Sequence, residues 1–218
     1  MRRYTFVFQN KNELVQFVSR QRVPRQDLPK RRARKERWTV GQYLLALEAA
    51  GRLKYPIRLA HALGNLSPDF MLSVGKCGVV GQEVTQATTK GYQAKLKRNA
   101  KSRRRGRVVL TSMAGIAGYQ AESYWCRRIL QAVRSKLAKL GKGHYEPAAS
   151  HHLLLYDDMD TKVAIVYGEA LKRIVPRLRK VLQTTPLAFA TVSIVTTQNR
   201  VLFDVSGESH SMLPVPRT

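Results

Sequence analysis

Two acidic residues in strand-like surroundings are the first place in this sequence where chemistry could be done. Pro68-Asp69-Phe70 opens an apolar run, Glu83-Val84-Thr85 follows, and 13 residues separate the two acids. In an extended strand alternate side chains share a face, so Glu83 and Thr85 project together while Val80, Val84 and Gln86 point the other way. If Asp69 and Glu83 lie on neighbouring strands, their carboxylates meet. Paired carboxylates are the oxygen donors that a divalent ion such as Mg2+ or Mn2+ takes, and beside a phosphodiester such an ion activates water and stabilises the leaving oxygen. Asp69 and Glu83 are therefore the expected metal ligands.

The elements that must position them can be read from periodicity. Pro68 to Val74 reads as a strand, Gly75-Lys76 as a turn and Cys77 to Thr85 as a second strand, together a hairpin. Thr39-Val40-Gly41-Gln42 fits a capping box, and Val40, Tyr43, Leu44 and Leu47 recur at helical spacing, which predicts a helix over 39–50 carrying Glu48. Cys126, Ile129, Val133, Leu137 and Leu140 predict a helix over 119–140 that Gly141 closes. A short strand from His152 to Tyr156 ends in Asp157-Asp158, a helix over 161–182 meets Pro176 as a kink or break, and Ala188–Thr196 with Arg200–Val205 form a strand pair. Helix, hairpin, helix, strand, helix, hairpin is the order of an α/β fold, a mixed central sheet flanked by helices.

Charge points to the partner. The chain has 218 residues, with 39 Lys and Arg against 14 Asp and Glu, a formal charge of +25. Self-repulsion at that excess penalises the compact state unless a polyanion neutralises it, and a nucleic acid, DNA before RNA, is the expected one. The basic residues cluster in two runs. One, proline-punctuated over 20–37, includes Arg31, Arg32, Arg34 and Lys35; the other includes Lys97, Arg98, Lys101, Arg103, Arg104, Arg105 and Arg107. These eleven are the expected phosphate contacts, which position a protein on a backbone without reading bases. Residues 1–37 are expected to be a basic N-terminal arm with a short strand at Tyr4 to Phe8, and 38–218 the α/β domain. No run of about 18 apolar residues exists and no secretory signal is visible, so a membrane partner and export are not expected and a cytoplasmic location is. Cys77 and Cys126 have neither metal-ligand nor disulfide-scaffold spacing and read as packing residues. Phosphate-cradling glycine loops and nucleophile elbows are absent, which removes the common ATPase and hydrolase classes.

The arrangement resembles the PD-(D/E)XK, or restriction-endonuclease-like, nuclease superfamily, in which proline-aspartate begins one strand and an acidic-x-lysine tripeptide lies on the next. Pro68-Asp69 and Glu83-Val84-Thr85 carry the likeness, over roughly residues 39 to 205. The resemblance implies metal-dependent hydrolysis of DNA by an endonuclease of defence, mobile-element or repair systems, with Glu48 as a further acidic residue of the catalytic set. It also extends to nuclease-like proteins with glutamate-x-threonine on the second strand, a tryptophan-bearing helix with spaced lysines (Trp125, Lys136, Lys139) and an apolar strand ending in aspartate (Leu153 to Asp157).

One departure matters: Thr85 stands where the superfamily has its lysine. A lysine arrives from elsewhere, with Lys90, Lys136 and Lys139 as candidates, or Thr85 and Gln86 orient the water by hydrogen bonding, or the site is inactive. Gln120 and Tyr124 resemble the glutamine-x-x-x-tyrosine element of the exonuclease branch, although two polar residues one turn apart on an amphipathic helix account for them more simply. Glu122 shares the apolar side of its helix and needs a partner there. His151 and His152 point to opposite strand faces and read as structural. The alternative to a nuclease is a non-catalytic nucleic-acid-binding subunit of a larger nucleoprotein complex, with protein partners or a homodimer. A ribosome-associated basic protein would explain the charge and leave the acids to chance.

Overall fold

The computed structural model describes residues 3–21, 32–62, 68–75, 78–87, 119–143, 145–157, 165–186, 188–196 and 201–214. Among them an eight-stranded mixed sheet carries four helices. The strands are β1 (Arg3–Phe8), β2 (Ile57–Ala62), β3 (Phe70–Val74), β4 (Val80–Gln86), β5 (Ser150–Asp157), β6 (Thr191–Thr196), β7 (Val201–Ser206) and β8 (His210–Pro214). The helices are α1 (Lys11–Ser19), α2 (Arg32–Ala49), α3 (Tyr119–Leu140) and α4 (Tyr167–Thr184). Strands lie in the sheet in sequence order. β1 to β4 form an antiparallel meander, β4, β5 and β6 are parallel, and β6 to β8 are antiparallel again. Parallel neighbours need a crossover, and α3 and α4 supply the two.

Alternation along the strands splits the interior in two. Leu153, Leu155, Val192, Ile194, Phe203 and Val205 face α3 and α4. Leu154, Tyr156, Val195, Val84, Ile57 and Leu59 face the other way, onto α1 and α2. α3 earns its place by the stripe Ala121, Trp125, Ile129, Val133, Leu137 and Leu140, which is buried while Arg127, Arg134 and Lys139 are exposed. α2 is buried on nearly all sides from Trp38 to Leu47, because the sheet covers one side and α1 another. Gly41 allows that approach: a Cβ there would lie 2.9 Å from Val18 Cγ2. No helix among the described residues is long and apolar enough to cross a membrane.

The N-terminal region departs from expectation. β1 pairs with β2, and Phe8, Leu14, Phe17 and Val18 are buried in the core beside α2. The described part of residues 1–37 is thus built into the domain, and a boundary at 37/38 would cut α2. That helix begins seven residues earlier than Thr39, because after Pro29 the chain holds only good helix formers and Arg32 and Glu36 pair one turn apart. Thr39 accordingly sits inside α2, its hydroxyl donating to the Lys35 carbonyl at 2.8 Å instead of capping an end. α1, β2 and β8 were not anticipated. β2 carries only Ile57, Leu59 and His61 on its buried face, too short a pattern to separate from a loop. α4 runs unbroken through Pro176, and residues 161–164, the expected start of that helix, lie outside the described residues.

Candidate active site

Asp69 and Glu83 are brought together by strand register. Phe70 pairs with Gln82, Met71 with Gly81 and Leu72 with Val80, so one further step puts Asp69 opposite Glu83 on the face covered by α3. Asp69 is fixed from three directions. Its carbonyl accepts from Ala62 N–H at 2.8 Å, Oδ2 accepts from Val84 N–H at 2.8 Å, and Oδ1 accepts from Arg32 Nη2 at 2.9 Å. Both carboxylates are 2% exposed, too buried for water to screen their charges. Burial, followed by the charges of Glu83 and Glu36, pushes the Asp69 pKa up to about 7, despite the Val84 N–H and Arg32 working against it.

The lysine missing from position 85 arrives from α3. Lys136 Nζ, whose side chain is 13% exposed, donates to Glu83 Oε1. Helix register explains why this lysine reaches it. Arg128 Nη2 donates to the Ala87 carbonyl just past β4, so α3 lies against the strand there. From Arg128 to Lys136 is about 12 Å of helix, and from Ala87 back to Glu83 is about 13 Å of strand, so the next contact along falls on Glu83. Two bonds lock that register: Trp125 Nε1 donates to Asp157 Oδ2 at 2.8 Å, and Glu122 Oε1 accepts from Val166 N–H at 3.0 Å at the start of α4. Those are structural roles for the tryptophan, the strand-ending aspartate and Glu122. Lys139 is exposed, Lys90 lies outside the described residues, and Thr85 shares the Glu83 face two positions on, beside Leu155.

A second layer, missed in the sequence, stands behind Asp69. Arg32 Nε donates to Glu36 Oε1, and His61 Nε2 lies 3.1 Å from Glu36 Oε2, so that nitrogen carries the proton facing the carboxylate. His61 is fully buried, stacked on Phe70 with ring centroids 4.3 Å apart. Burial alone would raise the Glu36 pKa, but hydrogen bonds from His61 and Arg32 outweigh it and hold the group below its ordinary value. The Arg32-x-x-x-Glu36 spacing was the available signal, hidden by a helix start placed at Thr39.

His151 and Tyr145 close the other side of Glu83. His151 is the register partner of Gly81, and a Cβ on Gly81 would lie 2.5 Å from His151 Nδ1 and 2.9 Å from Pro68 Cγ. Glycine is therefore the residue that lets this ring and the Pro68-Asp69 corner sit against β4. Burial lowers the His151 pKa, with Glu83 opposing, and burial followed by the Glu83 and Asp69 charges raises that of Tyr145. Glu83 Oε2 and the Tyr145 hydroxyl are both buried and close enough to interact.

Other expected site residues fall elsewhere. Glu48 lies about 18 Å further along α2 than Glu36 at 1.5 Å per residue. It faces Lys11 Nζ at 3.8 Å, and burial followed by the Glu48 charge pushes Tyr55 up to about 12. It is not part of the Asp69–Glu83 cluster, because the helix carrying it begins at Arg32 and presents Glu36 there instead. Of the expected phosphate contacts, Arg32, Arg34 and Lys35 occupy the first turns of α2, with Arg32 committed to the acids. Arg31, Lys97, Arg98, Lys101, Arg103, Arg104, Arg105 and Arg107 lie outside the described residues, as does the side chain of Gln120. Cys126 is a buried free thiol whose Sγ lies 3.4 Å from the Ala170 carbonyl. Among the described residues no group of three or more His, Cys, Asp or Glu side chains could hold a metal; Asp69 and Glu83 are a pair. Comparisons with protein-family models, curated proteins and solved structures find no match.

Proposed function

We propose that this protein is a metal-dependent DNA endonuclease of restriction-endonuclease-like architecture. One observation carries the reading: two buried carboxylates face each other across antiparallel strands with a lysine ammonium on the second of them. The element order from α2 to β5, a helix, a three-stranded meander, a helix and a parallel strand, supports the same architecture around that pair.

The donor set suits a small divalent cation. Mg2+ is bound through one or two carboxylates and keeps several waters, so two acids are enough. Asp69 is raised to about 7 by burial and then by the charges of Glu83 and Glu36, even with Arg32 paired to it, and among the described residues Glu83 Oε2 is a buried oxygen with no hydrogen-bond donor in bonding geometry. Asp69 and Glu83 would hold the ion, which supplies an acidified water and positive charge beside the leaving oxygen. The chain's own groups do the rest. Arg32 holds Asp69 in one rotamer, Glu36 and His61 hold Arg32, and Lys136 places a positive charge beside Glu83 where a phosphate oxygen or attacking water would be bound.

The second reading, a non-catalytic nucleic-acid-binding subunit, is favoured by the fact that the chain's own cations, Arg32 and Lys136, pair with the two acids. Supercoiled plasmid and single-stranded DNA incubated with Mg2+ or Mn2+, and then with chelator, separates the two. Cleavage is expected with metal only, and Asp69→Asn or Glu83→Gln should lower it by orders of magnitude while DNA binding is retained. No cleavage with either ion, together with no ion bound by calorimetry, refutes the nuclease and leaves the binding subunit.

A further inference from the structure

α3 and α4 pack side by side over one face of the sheet, and their outward stripes form a continuous surface on the far side of that layer. Its composition is one-sided. Arg127, Arg134, Lys139 and Lys142 are exposed along α3 and its closing turn, and Arg177 and Lys180 along α4. None of these six takes part in an ion pair among the described residues. The exposed acid on this surface is Glu169, and it is already paired with Lys172 at 2.8 Å. Glu122, the other acid of the two helices, is buried. A solvated face needs no such imbalance, since mixed signs keep a surface soluble without self-repulsion.

We propose that the outer face of α3 and α4 is a docking surface for the backbone of duplex nucleic acid. This deepens the preceding reading by placing its substrate class on a second surface, distinct from the two basic sequence runs. The dimensions fit. From Arg127 to Lys139 is about 18 Å of α3, roughly half a duplex turn, so cations along it can meet several neighbouring phosphates. The chemistry excludes the competing polyanions. Single strands are held by stacking on aromatic side chains, and among the described residues this surface exposes none; a membrane-surface helix inserts large apolar residues, and of those exposed among the described residues, Tyr4, Val7, Val79, Val166 and Met212, Val166 alone borders these helices, as the cap at the start of α4. What remains is a set of point charges suited to phosphates at fixed spacing, without base readout.

The test is a quadruple variant, Arg127→Gln, Arg134→Gln, Arg177→Gln and Lys180→Gln, made in an Asp69→Asn background and assayed in EDTA so that cleavage plays no part. Affinity for two unrelated 30-base-pair duplexes is measured against salt. Each lost phosphate contact lowers the slope of log K against log salt by about 0.9, so the slope should fall by about 2 to 4 and affinity by at least about 10-fold, alike on both sequences. Far-UV circular dichroism checks the fold. If the quadruple variant unfolds, the pairs Arg127→Gln/Arg134→Gln and Arg177→Gln/Lys180→Gln are read instead, each expected to show about half the slope change. An unchanged slope overturns the proposal. So does a variant that loses phosphatidylserine vesicles while keeping duplex DNA. A protein that never cuts DNA but shows the slope loss removes the nuclease reading and leaves this surface standing, whereas an active nuclease with an unchanged slope does the reverse.

Discussion

Removing the Lys136 ammonium should destabilise the fold far more than removing the Glu83 charge, and the difference can be worked from burial. Glu83 is 2% exposed and bonded to Lys136, whose side chain is 13% exposed. In Lys136→Met the stem volume is kept but a buried carboxylate is left without its cation, the situation that costs about 3–5 kcal/mol. In Glu83→Gln the lysine can swing its head group to water along its flexible stem, so the cost should be nearer 1 kcal/mol. The double variant Glu83→Gln/Lys136→Met should recover at least about 1.5 kcal/mol relative to Lys136→Met, a coupling typical of residues in contact. Urea unfolding followed by circular dichroism at pH 7.5 in EDTA measures all three. At this chain length a loss of 3 kcal/mol corresponds to a fall in Tm of about 6–12 °C. If Lys136→Met lies within about 0.5 kcal/mol of wild type, or the two single effects simply add, the pair does not carry the weight assigned to it and the lysine's place in the site falls with it.

Asp69 links stability to pH. Its carboxyl is raised from 3.8 to about 7 by burial and by Glu83 and Glu36, so between those values the folded state keeps a proton that the unfolded chain has lost. Stability should therefore fall as pH rises from about 4 to about 7, by at most about 4 kcal/mol, and Asp69→Asn should flatten that portion of the curve; parallel Tm profiles for the two proteins in EDTA would show the shift to be absent. Glu48→Gln should leave metal-dependent cleavage within about 2-fold of wild type, since Glu48 lies along α2 beside Lys11, whereas Glu36→Gln loosens Arg32 and should lower kcat by about 10-fold or more. Equal losses in the two variants would show that distance along α2 does not matter.

Local pattern was enough for several elements. The helix over 119–140 was legible because an apolar stripe at 3.6-residue spacing is a property of consecutive residues, and the hairpin at Asp69 and Glu83 because strand alternation and a Gly turn are too. The sequence also determined the overwhelming positive charge, and hence the class of partner proposed here. Elements whose burial depends on neighbours were not legible: β2 offers three inward residues, and α1 becomes core only when Gly41 admits Val18 against α2.

The candidate site divides in the same way. Asp69 and Glu83 could be picked out because each sits in its own strand pattern, and opposition across a hairpin follows from register alone. Which lysine serves them could not, since Lys90, Lys136 and Lys139 were equivalent on paper; the choice is made by α3 lying on β4 with Arg128 at Ala87, which sets the rise of the helix against that of the strand. Likewise Glu36 rather than Glu48 stands near Asp69, because α2 begins at Arg32 and only the guanidinium at that end spans to the β3 corner. Sequence patterns fix which face a residue takes within its own element, while the meeting of elements distant in the chain is decided by packing, and the polar partners of a buried carboxylate are set at that level.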